Sequence, residues 1–150
     1  MDSLSLYIAD LKEIEKDFGN IVRDIIKKNQ GKILTMIKLR LYNTGIDGAG
    51  NQIGQYYYQT IKEKKAKGQR SSFVTLRDSG DWYRAMYVEM IGNDVIVDST
   101  DWKTSKLIEM YSADILGLTI QEEDIIINAI IEPEVQKLLD SRNQLNIFDT

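Results

Sequence analysis

Apolar residues near the start of the chain recur at three- and four-residue steps: Leu4, Tyr7, Ile8, Leu11, Ile14, Phe18, Ile21, Val22 and Ile25. That spacing predicts an amphipathic helix with Lys12, Glu13, Lys16 and Asp17 on its wet side. Gly19-Asn20 marks a kink or interruption, and Asn29-Gln30-Gly31 marks a stop. Ile33, Leu34, Met36, Ile37 and Leu41 predict a second helix, although their density also permits a strand near Leu39 to Tyr42. Farther on, Phe73-Val74-Thr75-Leu76 is a short β-branched and apolar run that reads as a buried strand. Asp78 and Ser79 follow with side-chain oxygens able to cap a helix, and Gly80 eases the turn. Trp82, Tyr83 and Met86 then fall on one side of a short helix. The predicted strand–helix corner, carried by Leu76, Asp78, Gly80, Trp82 and Tyr83, is the scaffold joint on which the remaining elements pack.

Between these stretches, Gly45 to Gly54 holds the densest glycine run, with Asp47-Gly48 and Gly50-Asn51 flanked by Ile46 and Ile53. It predicts a hairpin or an Ω-like loop. Gln59 to Gln69 predicts a short charged helix ending at Gly68. Tyr87 to Ile91 and Val95 to Val97 predict two strands joined across Gly92-Asn93-Asp94. Trp102 to Tyr111 returns to helical spacing, and Thr119-Ile120-Gln121-Glu122 is a capping box opening an isoleucine-rich helix. Pro133 either kinks that helix or starts another. Asn143 to Thr150 is a polar tail carrying Leu145, Ile147 and Phe148, which docks on its own domain or on a neighbour. The expected fold class is α+β: a small antiparallel sheet packed by a long N-terminal helical region and C-terminal helices. One domain spans residues 1–150, with a helical region at 1–40, a sheet-containing core at 41–118 and a C-terminal helix and tail at 119–150.

Composition narrows the chemistry. The 150 residues contain no histidine and no cysteine. The commonest general base, the commonest metal ligand, thiolate sites and every Ser-His or Cys-His nucleophile are therefore excluded. Gly48 and Gly50 begin a G-x-G, but the next glycine is Gly54, one place late for a dinucleotide fingerprint. Asp47 and Asn51 lack further carboxylates at calcium-loop spacing. Asp78 and Asp81 have no third ligand or positioned base, and no lysine stands three residues after a serine. The expectation is a protein that is not an enzyme, with no catalytic residues, no metal and no cofactor. No stretch is long and apolar enough to span a membrane, and Asp2 and Asp10 break any signal-peptide pattern at the start.

Charge changes the picture more. The chain is −4 overall, but residues 62–77 carry +5 and residues 121–150 carry −5. Such polarity either steers one molecule onto another or reflects solvated faces. Tyrosines at 56–58 beside these lysines also permit stacking on bases, a weaker alternative for an acidic chain.

Taken in order, Leu41-Tyr42-Asn43-Thr44-Gly45-Ile46-Asp47-Gly48, then Tyr56 with Thr60 and Lys64, then Val74 to Tyr83, the hairpin around Gly92, and Ile115-Leu116-Gly117-Leu118-Thr119 resemble a known group. The chain resembles the small head-to-tail joining, tail-completion and minor-tail proteins of tailed bacteriophages over roughly residues 33–139. The resemblance implies a virion structural protein forming a ring at the neck, connecting portal and head to tail, and present in the host cytoplasm during assembly. It implies partners that are other copies of itself, in a six- or twelve-fold cyclic ring, together with portal and other neck or tail proteins, with DNA in the channel a lesser partner. It carries no catalytic residues. A ring needs two unlike faces on each subunit. The expected assembly faces are basic Lys62, Lys64, Lys65, Lys67 and Arg70, against acidic Glu122, Glu123, Glu132 and Glu134, with Phe148 in the apolar tail. The alternative is an acidic intracellular regulatory domain that binds a partner or nucleic acid.

Overall fold

Asp2 starts the first helix by accepting the Ser5 N–H on its carboxylate at 2.7 Å, the reciprocal of the donors a helix N-terminus leaves free. The computed structural model describes residues 2–148, with side chains through residue 141. Helix α1, Ser3–Ile14, buries Leu4, Ile8 and Leu11, one face of the predicted stripe. It ends at Glu15, whose N–H returns to the Leu11 carbonyl and whose backbone is extended. The break therefore precedes the expected Gly19-Asn20: Gly19 lies buried within α2, Phe18–Lys28, with Phe18, Val22, Ile25 and Ile26. Helix α3, Gln30–Thr44, runs through Gly31 and through Leu39 to Tyr42, settling the helix-or-strand alternative as helix. The intended stop at 29–31 is only a one-residue joint, because the Asn29 amide caps the Ile25 carbonyl while its own carbonyl already accepts from Ile33.

Later elements are α4, Tyr58–Ala66; α5, Asp81–Arg84; strands β1, Met86–Ile91, and β2, Asp94–Ser99; α6, Thr104–Met110; a 3₁₀ turn, Ala113–Leu116; α7, Ile120–Ile125; a π-helical turn, Ile126–Ile131; and α8, Glu132–Phe148. The two strands pair as an antiparallel hairpin, so the chain is α+β, mostly helical with a small sheet. The π turn stands where Pro133 removes a backbone donor from the helix. Widening the turn just ahead of it lets the helix carry on instead of breaking.

The chain forms two compact units, each assembled from separated segments. The first comprises residues 1–33, 88–96 and 120–150; the second comprises 34–87 and 97–119. They cut across the three consecutive regions expected from the sequence.

In the first unit, α1 packs against α2, α7 and the π turn, and α2 packs against the π turn. Ile8, Val22, Ile26, Ile126 and Ile131 are all 1% exposed or less, so the isoleucine excess of the C-terminal segment is largely core. Ser3 donates its hydroxyl to Glu123 at 2.9 Å, and burial holds the Glu123 carboxyl above its ordinary range despite that bond. A carboxyl raised by folding binds more protons folded than unfolded just above the ordinary range, so stability falls as pH rises through that window. Glu123→Gln, which can keep an acceptor for Ser3, is expected to melt modestly higher at neutral pH. The gain should vanish below the ordinary carboxylate range, as read by thermal melts across pH.

The second unit is held by loops as much as by helices. Asp47 accepts the N–H groups of Ala49 and Asn51, both at 3.0 Å, closing the 45–54 loop around a single Ile46–Gln52 bridge. Its carboxylate is thereby occupied in shaping the turn, as Asp side chains commonly are. Gly48 lies against Gly117, its N–H donating to the Asp114 carbonyl at 2.8 Å.

Candidate functional site

The corner at 73–84 departs from the expected strand. Val74, Thr75 and Leu76 are buried, but this segment belongs to no sheet. Its donors are satisfied singly: the Val74 N–H by the Gly54 carbonyl at 3.0 Å, and the Thr75 N–H by the Tyr56 hydroxyl at 2.9 Å. Leu76 takes φ +63°, the one non-glycine residue among those described in the left-handed region. A left-handed Leu costs about 1–2 kcal/mol, which the burial of its side chain offsets. Capping also differs from expectation. Gly80, at φ +88°, occupies the cap position of α5, and Ser79 rather than Asp78 accepts the Asp81 N–H, at 3.3 Å. Asp78 instead pairs loosely with Lys67 at 3.7 Å, both side chains being exposed.

Trp82 and Tyr83 are both buried at the corner. Trp82, 2% exposed, donates from its indole to Thr104 Oγ1 at 3.1 Å, while its carbonyl accepts from Ser99 Oγ at 3.0 Å. Tyr83 donates its hydroxyl to the Thr75 carbonyl, and burial pushes its pKa well above the usual phenol range. Tyr83→Phe would strip that carbonyl of its buried partner, so a loss of about 1–3 kcal/mol is expected in urea unfolding.

Around this corner the second unit forms a half-open cavity of about 250 Å³. Val74, Leu76, Trp82 and Leu107 supply its apolar lining, and Tyr56 and Tyr111 add aromatic walls. Lys67, Arg77 and Lys103 bring positive charge to it, against Glu63 and Asp78. Lys64 also lines it but is committed internally: it is 7% exposed, donates to the Arg77 carbonyl at 3.1 Å and stands 4.7 Å from the centre of the Tyr56 ring. Arg70 and Arg77 both lie over the Tyr42 ring, at 5.0 and 5.2 Å. Such stacked cations are worth about 0.5–1 kcal/mol each where exposed.

No known protein family, characterised protein or solved structure matches the chain.

The expected assembly residues divide by burial. Lys62, Lys65, Lys67 and Arg70 are exposed, whereas Lys64 is not. On the acidic side Glu132 is exposed and Glu134 half-buried, paired with Lys137 at 3.6 Å, while Glu122 and Glu123 are each 7% exposed. Lys64, Glu122 and Glu123 are thus turned into their own chain. Phe148 lies outside the residues whose side chains are described. Among the described residues no group of three or more acidic side chains is placed to hold a metal ion, and no helix is long and apolar enough to cross a membrane. What sequence reading missed is the cavity, whose lining comes from three separate stretches of chain, and the exposure of Trp102, 82%, with Tyr57 at 80% and Tyr58 at 72%.

Proposed function

We propose that this protein is a virion structural protein that assembles into a cyclic ring at the neck of a tailed bacteriophage, between portal and tail. The observation that carries the reading is how charge is distributed between the two units. The second unit holds eleven lysines and arginines against eight acids, net +3; the first holds eight against fifteen, net −7. A ring closes through heterologous contacts, in which one surface of a subunit meets a different surface of the next. Units of opposite charge supply two such surfaces and orient their encounter. The order of elements that resembles the neck proteins supports the same reading, as do large exposed apolar groups such as Trp102 and Ile120.

The test combines the purified protein with portal and follows mass by mass photometry, with composition of purified virions read by mass spectrometry. Rings alone or on portal, and the protein in virions, are expected. A monomer under both conditions, together with virions lacking it, overturns the proposal. Charge reversal belongs at Lys62 and Lys65, which are exposed, because a glutamate at Lys64 would bury an unpaired carboxylate and unfold the unit instead.

A second reading, a nucleic-acid-binding regulatory domain, draws on Tyr57 and Tyr58, with Lys62 standing 4.8 Å over the Tyr58 ring. DNA binding by the monomer that weakens steeply with added salt would favour it.

A further inference from the structure

We infer that the cavity of the second unit is a socket for an aliphatic side chain from the C-terminal helices of a second copy of this chain. The inference rests on the ring reading and names the contact that would build it. At about 250 Å³ the cavity falls just below the range of sites for cofactors and drug-sized ligands, which begins near 300 Å³. A side-chain-sized guest suits that volume. The lining is apolar at Val74, Trp82 and Leu107, and Lys67, Arg77 and Lys103 carry the cationic side. Leu76 is held there in the left-handed region, and backbone outliers of this kind concentrate where a surface engages something.

The matching guest is apolar with acid beside it. The first unit, at −7, presents that chemistry on its C-terminal helices. On α7, Ile120 is 70% exposed and Ile125 46%, with exposed Asp124 immediately before Ile125. On α8, Leu138 and Leu139 are 38% and 36% exposed, followed by exposed Asp140. A side chain of this segment entering the cavity would place a carboxylate near Lys67, Arg77 or Lys103. Opposite charge thus selects the acidic helices of another copy over a neutral peptide, and the unlike surfaces make the contact heterologous.

The experiment uses the full chain and sedimentation at low and high salt. Thr60→Trp, at the cavity wall, fills the socket; Ile125→Lys, at a half-exposed position on α7, removes the guest. Circular dichroism checks that both variants remain folded, and Leu107→Trp serves as a second plug if Thr60→Trp does not fold. Each variant is expected to weaken self-association by about tenfold or more, and high salt to weaken the native protein likewise. Mixing the two variants leaves one intact contact per pair, so they are expected to form heterodimers that grow no further. Unchanged oligomers with a plugged cavity overturn the socket while leaving the ring standing; a native chain that stays monomeric at every concentration overturns it too. Binding of hexanoate in the cavity, read by Trp82 fluorescence in a Trp102→Phe background, with self-association unaffected by either variant would assign the site to a small carboxylate instead. The neck reading itself fails separately, by absence from virions.

Discussion

Trp82→Ala is expected to cost about 3–5 kcal/mol, the range for removing a buried tryptophan from a core. Domains hold about 5–15 kcal/mol of stability in all, so the variant should be near the edge of folding. The expectation rests on three properties of this side chain. It is 2% exposed, so nearly its whole surface returns to water on unfolding. It also borders the cavity, so truncation enlarges an existing space that the surroundings have not already collapsed to fill. Its indole bond to Thr104 would be lost, but the Thr104 hydroxyl still reaches the Asp101 carbonyl at 2.7 Å and the Ser99 carbonyl at 3.1 Å, so no orphaned group adds to the cost. Trp102→Ala is the internal control. At 82% exposure it should change stability by no more than about 0.5 kcal/mol. Urea unfolding of the two variants against the native chain measures both. A Trp82→Ala loss below that of Trp102→Ala would contradict the role of the corner as the organising joint.

The second large effect comes from an atom that is not there. A Cβ on Gly48 would lie 2.3 Å from the Gly117 carbonyl carbon, 2.5 Å from its Cα and 2.6 Å from its oxygen. These are backbone atoms, which cannot rotate aside as a side chain would. Overpacking commonly costs about 1–3 kcal/mol, and Gly48→Ala is expected at or above the top of that range. Relief would require pulling the 45–54 loop from the 3₁₀ turn, breaking the Gly48 N–H bond to Asp114. The reverse substitution is milder. A Cβ on Gly117 would meet the Asp114 oxygen at 3.2 Å and the Gly48 Cα at 3.3 Å, tight contacts that a small shift relieves. The asymmetry of two alanines at one contact is the diagnostic result in thermal melts. Equal losses would mean that general glycine entropy, rather than steric contact, governs the pair.

Elements with local causes were legible in the sequence. The three- and four-residue steps of Leu4, Ile8 and Leu11 correspond to a buried helix face, and the tight turn at Gly92-Asn93 lies between β1 and β2. What was not legible depends on residues distant in the chain. The run Phe73 to Leu76 has strand composition, but β-branching describes a pleated, half-buried surface and says nothing of whether a neighbouring strand exists to pair with it. Here a tyrosine hydroxyl and a loop carbonyl take the place of a ladder. Charge misled in the same way. Lys64 lies in a basic run and Glu123 in an acidic one, and such runs read as solvated faces, yet Arg77 and Tyr56 enclose the first while Ser3 bonds the second. The cavity was the least readable feature, since Tyr56, Leu76, Trp82 and Leu107 share no sequence pattern.

The segment composition of the two units has a mechanical consequence. Both α1 and α8 belong to the first unit, and the second is strung between residues 33 and 120, interrupted by the hairpin tip. Tension applied between α1 and α8 is therefore borne by the packing of the first unit alone. The second unit is shunted out of the load until the first gives way. A pulled chain should release its slack in that order, the acidic unit first and the basic unit only afterwards.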